Sequence, residues 1–360
     1  MKILHVSSID PLPNSGMGRV SYHWKNAFEK AGHQFIHVGK SSLQKNVHKL
    51  FLGKALRKYI INKRIDFDVV FAHEPLAGFL KFKNKPLIVF SHGIEERAWE
   101  NAEKYSLQPT KLKNKLLPQW LRFYANNLGF KKADLILLLN KTDKEYLIST
   151  KKIKIKRAEI IKNGYYTFSV SDKHNDVTGK IVFLFNGTWI ERKGKSILSY
   201  AFNIVLKKYN NVKLIIAGVS VEAKLVLENF DSQVISQINV IPKFTAEEEK
   251  VIYAEANVFI LPSYFEGQSL ALTQAMAMGL CPLVSDNSGQ LDFVQNLKNG
   301  LLFKTGNKKD FLEKTEGLIK NKDLISSLGV SASKSVLNFT WQNVSDAVVK
   351  LCESVIEKKK

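Results

Sequence analysis

Five short stretches of this chain carry residue types that could act on a phosphorylated or polyhydroxylated ligand. The most informative is Pro-Ser-Tyr-Phe-Glu-Gly-Gln-Ser-Leu, residues 262–270, which follows the apolar run 257–261. A buried strand there ends in a loop bearing the carboxylate of Glu266 and the bare backbone of Gly267. A helix of good formers then starts near Ser269 and stops at Gly279. Backbone amides of Gln268, Ser269 and Leu270 at such a helix start point at an anion, and Glu266 could grip sugar hydroxyls. Gln274 stands about one turn beyond Leu270, on the same face.

The other four stretches are shorter. Arg192-Lys193-Gly194 follows the first strand of the second half. Two adjacent cations in a loop over a helix start suit a diphosphate, and a solvated basic turn is the other reading. His92-Gly93 closes the run 86–91, where a histidine would face a ligand and the glycine would let it come close. Gly16 and Gly18 open a helix after the first strand, which suits a phosphate or a sugar face as well as a plain turn. The loop before them is too long for a dinucleotide fingerprint, which argues against a dehydrogenase. Asp66-Phe67-Asp68 has the spacing of a metal-diphosphate pair. It precedes its strand, however, at the end where ligands do not sit, so it is read as a strand-entry turn and no metal site is expected.

These stretches need strand ends to hold them, and the chain supplies strands in alternation with helices. Apolar runs at 2–7, 34–38, 68–72, 86–91 and 134–139 are separated by helical patterns such as 18–31 and 46–63. The alternation restarts with 180–186, 212–217, 238–241, 257–261 and 281–285. Such a pattern calls for parallel sheets covered on both faces: two Rossmann-like domains facing each other across a cleft. The boundaries read as 1–168 for an acceptor-binding domain, 169–179 for a polar linker, 180–338 for a donor domain and 339–360 for a final helix.

Composition narrows the class. The 360 residues are 45% hydrophobic and 24% charged, which is ordinary for a globular protein. Two cysteines, Cys281 and Cys352, cannot build a disulfide scaffold, and no CxxC pair suggests zinc. The opening residues lack the apolar core of a signal peptide, and the longest uncharged stretch, 267–285, is too polar to span a bilayer. A cytoplasmic protein is expected. The net charge of +21 is lopsided: residues 1–170 carry 31 basic and 13 acidic side chains, the other 190 carry 23 and 20. The first half therefore expects an anionic partner, a nucleic acid or a membrane surface.

Taken together and in order, these residues resemble the family-four glycosyltransferases, which are retaining, nucleotide-sugar-dependent enzymes of the GT-B fold. The resemblance covers nearly the whole chain: Gly16 and Gly18, Gly32-His33, His92-Gly93, Asn163-Gly164, Gly187 with Lys193-Gly194, the segment 262–279, and Thr340-Trp341 before the last helix. It implies that Glu266 contacts the donor sugar and that Lys193 binds the donor diphosphate with the amides of Gln268, Ser269 and Leu270. It places His92 beside the anomeric carbon and the acceptor, and Lys243 and Phe244 beside the base. It implies a last helix that crosses back to the first domain. Two positions depart from the family pattern. Gln274 stands where a second glutamate is usual, and Thr188 stands where an arginine is common, with Arg192 a possible substitute.

The implied reaction moves a sugar from a nucleoside diphosphate to a saccharide or lipid-linked acceptor, with cations and helix amides rather than a metal or cofactor taking the leaving charge. Bacterial surface polysaccharide or lipopolysaccharide assembly is the implied setting. The stretches 45–64 and 111–132 mix cations with Leu, Phe, Tyr and Trp. In the second, Trp120, Phe123 and Phe130 broaden the apolar surface, which suggests a peripheral site at the inner face of the membrane. Two rivals stand beside this reading: an epimerase-like enzyme of the same fold, and a basic nucleic-acid-binding protein. Glu266, His92 and the strand-end glycines are unexplained by the latter, so no nucleic acid is expected.

Overall fold

Runs of branched and aromatic residues form strands; the inner ones are buried along nearly their whole length, as parallel strands sandwiched between helices must be, and those at the sheet edges are partly open. The computed structural model describes residues 1–13, 16–44, 46–107, 116–167 and 179–357. The chain divides into two units. One comprises Met1–Trp99, Gln108–Gly164 and Trp341–Lys360, the other Glu100–Leu107 and Tyr165–Thr340.

The first unit contains β1 (Lys2–Val6), β2 (Gln34–Val38), β3 (Val69–His73), β4 (Leu87–Phe90), β5 (Leu135–Leu138) and β6 (Ala158–Ile160). They form one parallel sheet in the order β2-β1-β3-β4-β5-β6. Trp24 and Phe28, from the helix Gly16–Lys30, cover Phe71 and Phe90 with no exposed surface. The last helix, Trp341–Glu357, packs in this same unit against Gly16–Lys30. His23 stacks on Trp341 at 4.3 Å, and His33 Nε2 lies 2.8 Å from Glu353 Oε1.

The second unit contains β7 (Ile181–Asn186), β8 (Val212–Ala217), β9 (Ile238–Ile241), β10 (Val258–Leu261), β11 (Cys281–Ser285) and β12 (Leu301–Phe303). Their parallel order is β12-β11-β10-β7-β8-β9. In each sheet the chain winds outward in both directions from its first strand. The crevice at the carboxyl ends therefore lies between β1 and β3 in one unit, and between β7 and β10 in the other.

Several details differ from the sequence reading. β6 and β12 are three-residue edge strands, too short to stand out as apolar runs. The helix expected over 46–63 begins only at Leu52, after a turn in which Phe51 N–H donates to the His48 carbonyl at 2.9 Å; Leu52, Leu56 and Ile60 form its buried stripe. Phe123 and Phe130 do not broaden a surface: both are buried under the helix Leu116–Lys132, whose fixed spacing turns Trp120, Leu121 and Tyr124 outward instead. The segment read as a linker lies almost wholly outside the described residues. Asp66 and Asp68 are spent at the entry to β3. Asp66 pairs with the Lys2 ammonium at 2.7 Å, and Asp68 accepts the Lys2 backbone N–H at 2.7 Å.

Candidate functional site

In the second unit, the loops after the neighbouring strands β7 and β10 are tied together. Lys193 Nζ lies 2.7 Å from Glu266 Oε1, with both side chains largely buried, and Arg192 Nη1 stands 4.0 Å from the same oxygen. Arg192 also donates to the Phe265 carbonyl at 3.0 Å, and Tyr264 N–H donates to the Arg192 carbonyl at 2.9 Å. Burial by itself would raise the Glu266 pKa. The Lys193 and Arg192 charges outweigh it and hold the carboxyl below its ordinary value, so Glu266 is ionised at neutral pH.

Glycines let the loops close on each other. Gly194 has φ +81°, and a Cβ there would meet the Pro262 carbonyl oxygen at 2.1 Å. The turn therefore needs a residue that is at ease in the left-handed region and has no side chain. Gly194→Ala should cost about 2–4 kcal/mol from the unfavourable φ and the clash, read as a lower urea midpoint. An unchanged midpoint would mean that the loop moves away freely.

A Cβ on Gly289 would stand 2.5 Å from the Glu266 carbonyl oxygen and 2.6 Å from that of Gly267. Asn287 Nδ2 donates to the Ser263 carbonyl at 2.9 Å, and Gln290 Nε2 to the Leu261 carbonyl at 3.1 Å. These contacts bolt the end of β10 to the segment after β11. Sequence reasoning missed all three residues, although they follow directly on the apolar run 281–285.

Helix Leu270–Ala277 opens at this point. The Ser269 side chain accepts Leu272 N–H, and Gln268 Nε2 donates to Thr273 Oγ1 at 3.2 Å. The positive end of the helix thus lies next to Glu266 and Gly267, where an anionic group is favoured. Gln274 is placed differently from the expectation that it meets a ligand. It is 2% exposed, its Oε1 accepts Tyr166 N–H at 2.9 Å, and its Nε2 donates to the Tyr166 carbonyl at 3.1 Å. Here the amide anchors the backbone at Tyr166, a pairing that a carboxylate could make only on its accepting side.

Beyond the strand ends, Ser220, Val221, Glu222, Pro242 and Lys243 line a pocket of about 430 Å³. Phe244 packs close to Gly218, whose φ of +65° and short approach to Asn186 Oδ1 leave no room for a side chain. Lys243 thus lines this pocket, while Phe244 packs on Gly218, in the unit that also carries Lys193 and Glu266.

Gly16, Gly18 and His92 belong to the first unit. Gly16 is exposed in the first turn of its helix, and Gly18 is buried. His92 follows β4 and is half-buried, and burial pulls its pKa down to about 4, so the ring is neutral near pH 7. It is not isolated. His92 Nε2 lies 3.1 Å from His73 Nδ1, His73 Nε2 3.1 Å from His5 Nε2, and His5 Nδ1 2.9 Å from His37 Nδ1. The sequence reading missed these partners. Their signal was a histidine at or near the end of three successive apolar runs, KILHV, QFIHV and VVFAH.

Comparison with known proteins assigns these halves. A family model described as Glycosyltransferase Family 4 matches residues 14–167, and one described as Glycosyl transferases group 1 matches 168–335. Among curated relatives, the capsular polysaccharide biosynthesis glycosyltransferase CapM of Staphylococcus aureus is 28% identical over 166 residues, 46% of this chain and 43% of that protein. The N,N'-diacetylbacillosaminyl-diphospho-undecaprenol alpha-1,3-N-acetylgalactosaminyltransferase of Campylobacter jejuni is 33% identical over 101 residues, 28% of this chain and 27% of that protein. The chain thus spans less than half the length of either relative. Among solved structures, sucrose-phosphate synthase from Thermosynechococcus elongatus superposes with a TM-score of 0.78 at 15% identity, covering 99% of both chains. Anabaena HepE, solved with UDP and glucose, gives 0.72 at 16% identity, over 98% of this chain and 100% of that one. Likeness at such identity establishes the fold, which is GT-B.

Proposed function

From the premise that this chain belongs to the family-four glycosyltransferases, we propose that it moves a sugar, with retention of anomeric configuration, from a nucleoside diphosphate to a saccharide or lipid-linked acceptor. The observation that carries the reading is the Lys193–Glu266 pair, set between the ends of β7 and β10 and beside the opening of helix Leu270–Ala277. In this reading the donor diphosphate takes Lys193, with Arg192 and the helix amides of Gln268, Ser269 and Leu270 sharing its charge. Glu266 then holds hydroxyls of the donor sugar, and Lys243 and Phe244 flank the base. These groups stabilise the charge that develops on the leaving diphosphate, so the reading assigns no role to a metal. His92 stands beside the anomeric carbon and the acceptor, and the glycine loop at Gly16 and Gly18 joins the donor-binding groups.

Relatives support the coarser terms. HepE was solved with UDP and glucose, CapM is named for capsular polysaccharide, and the Campylobacter enzyme is named for a diphospho-undecaprenol acceptor. Surface polysaccharide or lipopolysaccharide assembly is the pathway we propose for this chain on that ground. The test is a thermal-shift panel with UDP, GDP, ADP and CMP. A nucleotide at 100 times its dissociation constant should add about 2.7 kcal/mol of stability. A shift with one nucleotide, weakened in Lys193→Ala, identifies the donor class, and no shift with any of them rejects the reading. Donor turnover without acceptor would favour the epimerase-like alternative.

The same reading includes a peripheral contact with an anionic membrane surface at the inner face of the cell membrane. Among the described residues no helix is long and apolar enough to cross a membrane. Trp120, Leu121 and Tyr124 are each more than half exposed on helix Leu116–Lys132, as is Phe51 before helix Leu52–Asn62. Lys49, Leu50, Leu121 and Arg122 line one small pocket, which joins the two segments and adds cations to the apolar patch. Wild-type protein should sediment with anionic vesicles at low salt, and Trp120→Ala with Tyr124→Ala should reduce the bound fraction. Equal sedimentation with neutral vesicles, or an RNA gel shift in place of vesicle binding, would overturn this contact.

A further inference from the structure

Four histidines form an unbroken row across the carboxyl end of the first sheet. His37 comes from β2, His5 from β1, His73 from β3 and His92 from just after β4, and these are consecutive strands in the sheet. Register explains the row. His5 pairs directly with His37 across β1 and β2. His5 also pairs with Phe71, two residues before His73, and His73 pairs with Phe90, two residues before His92. Side chains two apart share a face, so all four rings lie on the same side of the sheet. The nitrogens pair off successively at 2.9–3.1 Å, and among the described residues they do not converge as a metal site requires.

The far end of the row is a carboxylate. His37 Nε2 lies 3.0 Å from Asp10 Oδ1, which also accepts from Ser41 Oγ at 2.7 Å. A Cβ on Gly39 would stand 2.6 Å from His37 Nε2 and 3.1 Å from Asp10 Oδ1, so only glycine lets this pair close. Hydrogen bonds from Ser41 and His37 hold the Asp10 pKa below its ordinary value against partial burial, and burial lowers the pKa of each histidine in the row. Near pH 7 the row is therefore one acceptor-only carboxylate followed by four neutral rings, each with a single N–H.

That composition allows one hydrogen-bond direction. Asp10 can only accept, so His37 carries its proton on Nε2 and offers a lone pair at Nδ1. His5 must donate to it from Nδ1, leaving Nε2 as an acceptor, with Ser21 Oγ at 3.4 Å beside it. His73 donates to that nitrogen from Nε2, and its Nδ1 accepts from His92 Nε2–H. The last member is left with an unprotonated Nδ1, to which no described residue is bonded.

We propose that Asp10, His37, His5 and His73 are positioning residues that fix His92 as the Nε2–H tautomer and so present its Nδ1 lone pair to a hydroxyl of the sugar substrate or acceptor. The inference rests on the proposed function for what His92 meets, but not for the tautomer itself. Fixing which nitrogen carries the proton through the hydrogen bond made by the other is a general use of histidine partners. This chain does so through four links to an aspartate on the loop after β1.

The test has a spectroscopic and a kinetic arm. Long-range nitrogen–proton correlation spectra of ring-labelled protein, with His92→Gln to assign its signals, should show His37, His73 and His92 as Nε2–H and His5 as the less common Nδ1–H tautomer. Asp10→Ala, on a side chain 41% exposed, should mix the His92 tautomers. With whichever donor the nucleotide panel selects, it should lower kcat by about tenfold and leave the donor KM near wild type. A wild-type His92 protonated on Nδ1 overturns the proposal, as does an Asp10→Ala protein with unchanged His92 signals. Absence of any sugar transfer by wild-type protein would defeat the proposed function, while the tautomer pattern would still decide this inference.

Discussion

Lys193→Ala is expected to lower turnover at saturating donor by about 100- to 1,000-fold, the equivalent of about 2.7–4 kcal/mol of barrier. The ammonium lies where the leaving diphosphate gains charge in the proposed reaction, so its loss is felt more in the transition state than in the bound donor. The substitution also has a structural consequence that must be separated. Glu266 is 6% exposed, and Lys193 is the largest of the influences that keep its carboxylate ionised against burial. Stranding one member of a buried pair costs about 3–5 kcal/mol, eased here by Arg192 at 4.0 Å. The control is the double variant Lys193→Met with Glu266→Gln, which removes both charges and should recover most of the lost stability. Its turnover should stay as low as that of Lys193→Ala. Near-normal turnover in Lys193→Ala at saturating donor would remove this lysine from the chemistry.

The second large effect is acid destabilisation driven by histidines. Burial lowers the folded-state pKa of His92 to about 4, and burial with the nearby Arg19 charge does the same for His23. Each therefore binds a proton more weakly folded than unfolded. Their contribution to stability is complete above the unfolded value of about 6.5 and is lost as pH falls toward the folded value. Between pH 7 and pH 5 each should cost about 2 kcal/mol. His5, His73 and His37 act in the same direction, while Glu74, whose pKa burial raises, opposes them by taking up a proton in the folded state. Urea unfolding at the two pH values gives the net change. His23→Phe, which keeps the stack on Trp341, should shrink the difference by about 2 kcal/mol. An equal difference in that variant would show that His23 titrates normally.

Alternating runs such as KILHV, VVFA and NVFIL determined the two parallel sheets, because a strand buried on both faces can be written in few other ways. Glu266, Arg192, Lys193 and His92 stood out as candidates for a related reason: each lies in the segment that follows such a run, and strand ends are where a doubly wound sheet binds ligands. What could not be read was which neighbours meet. Glu266 and Lys193 are 73 residues apart in sequence and 2.7 Å apart in space because β7 and β10 are adjacent in the sheet. The histidine row likewise exists only once the order β2-β1-β3-β4 places four strand ends side by side. Gln274 shows the limit most plainly. Its spacing from Leu270 put it on the right helix face, but its amide is taken by Tyr166, 108 residues away. Periodicity is a property of a segment and survives in the sequence. Partnership is a property of strand order and register, and only the folded sheets decide it.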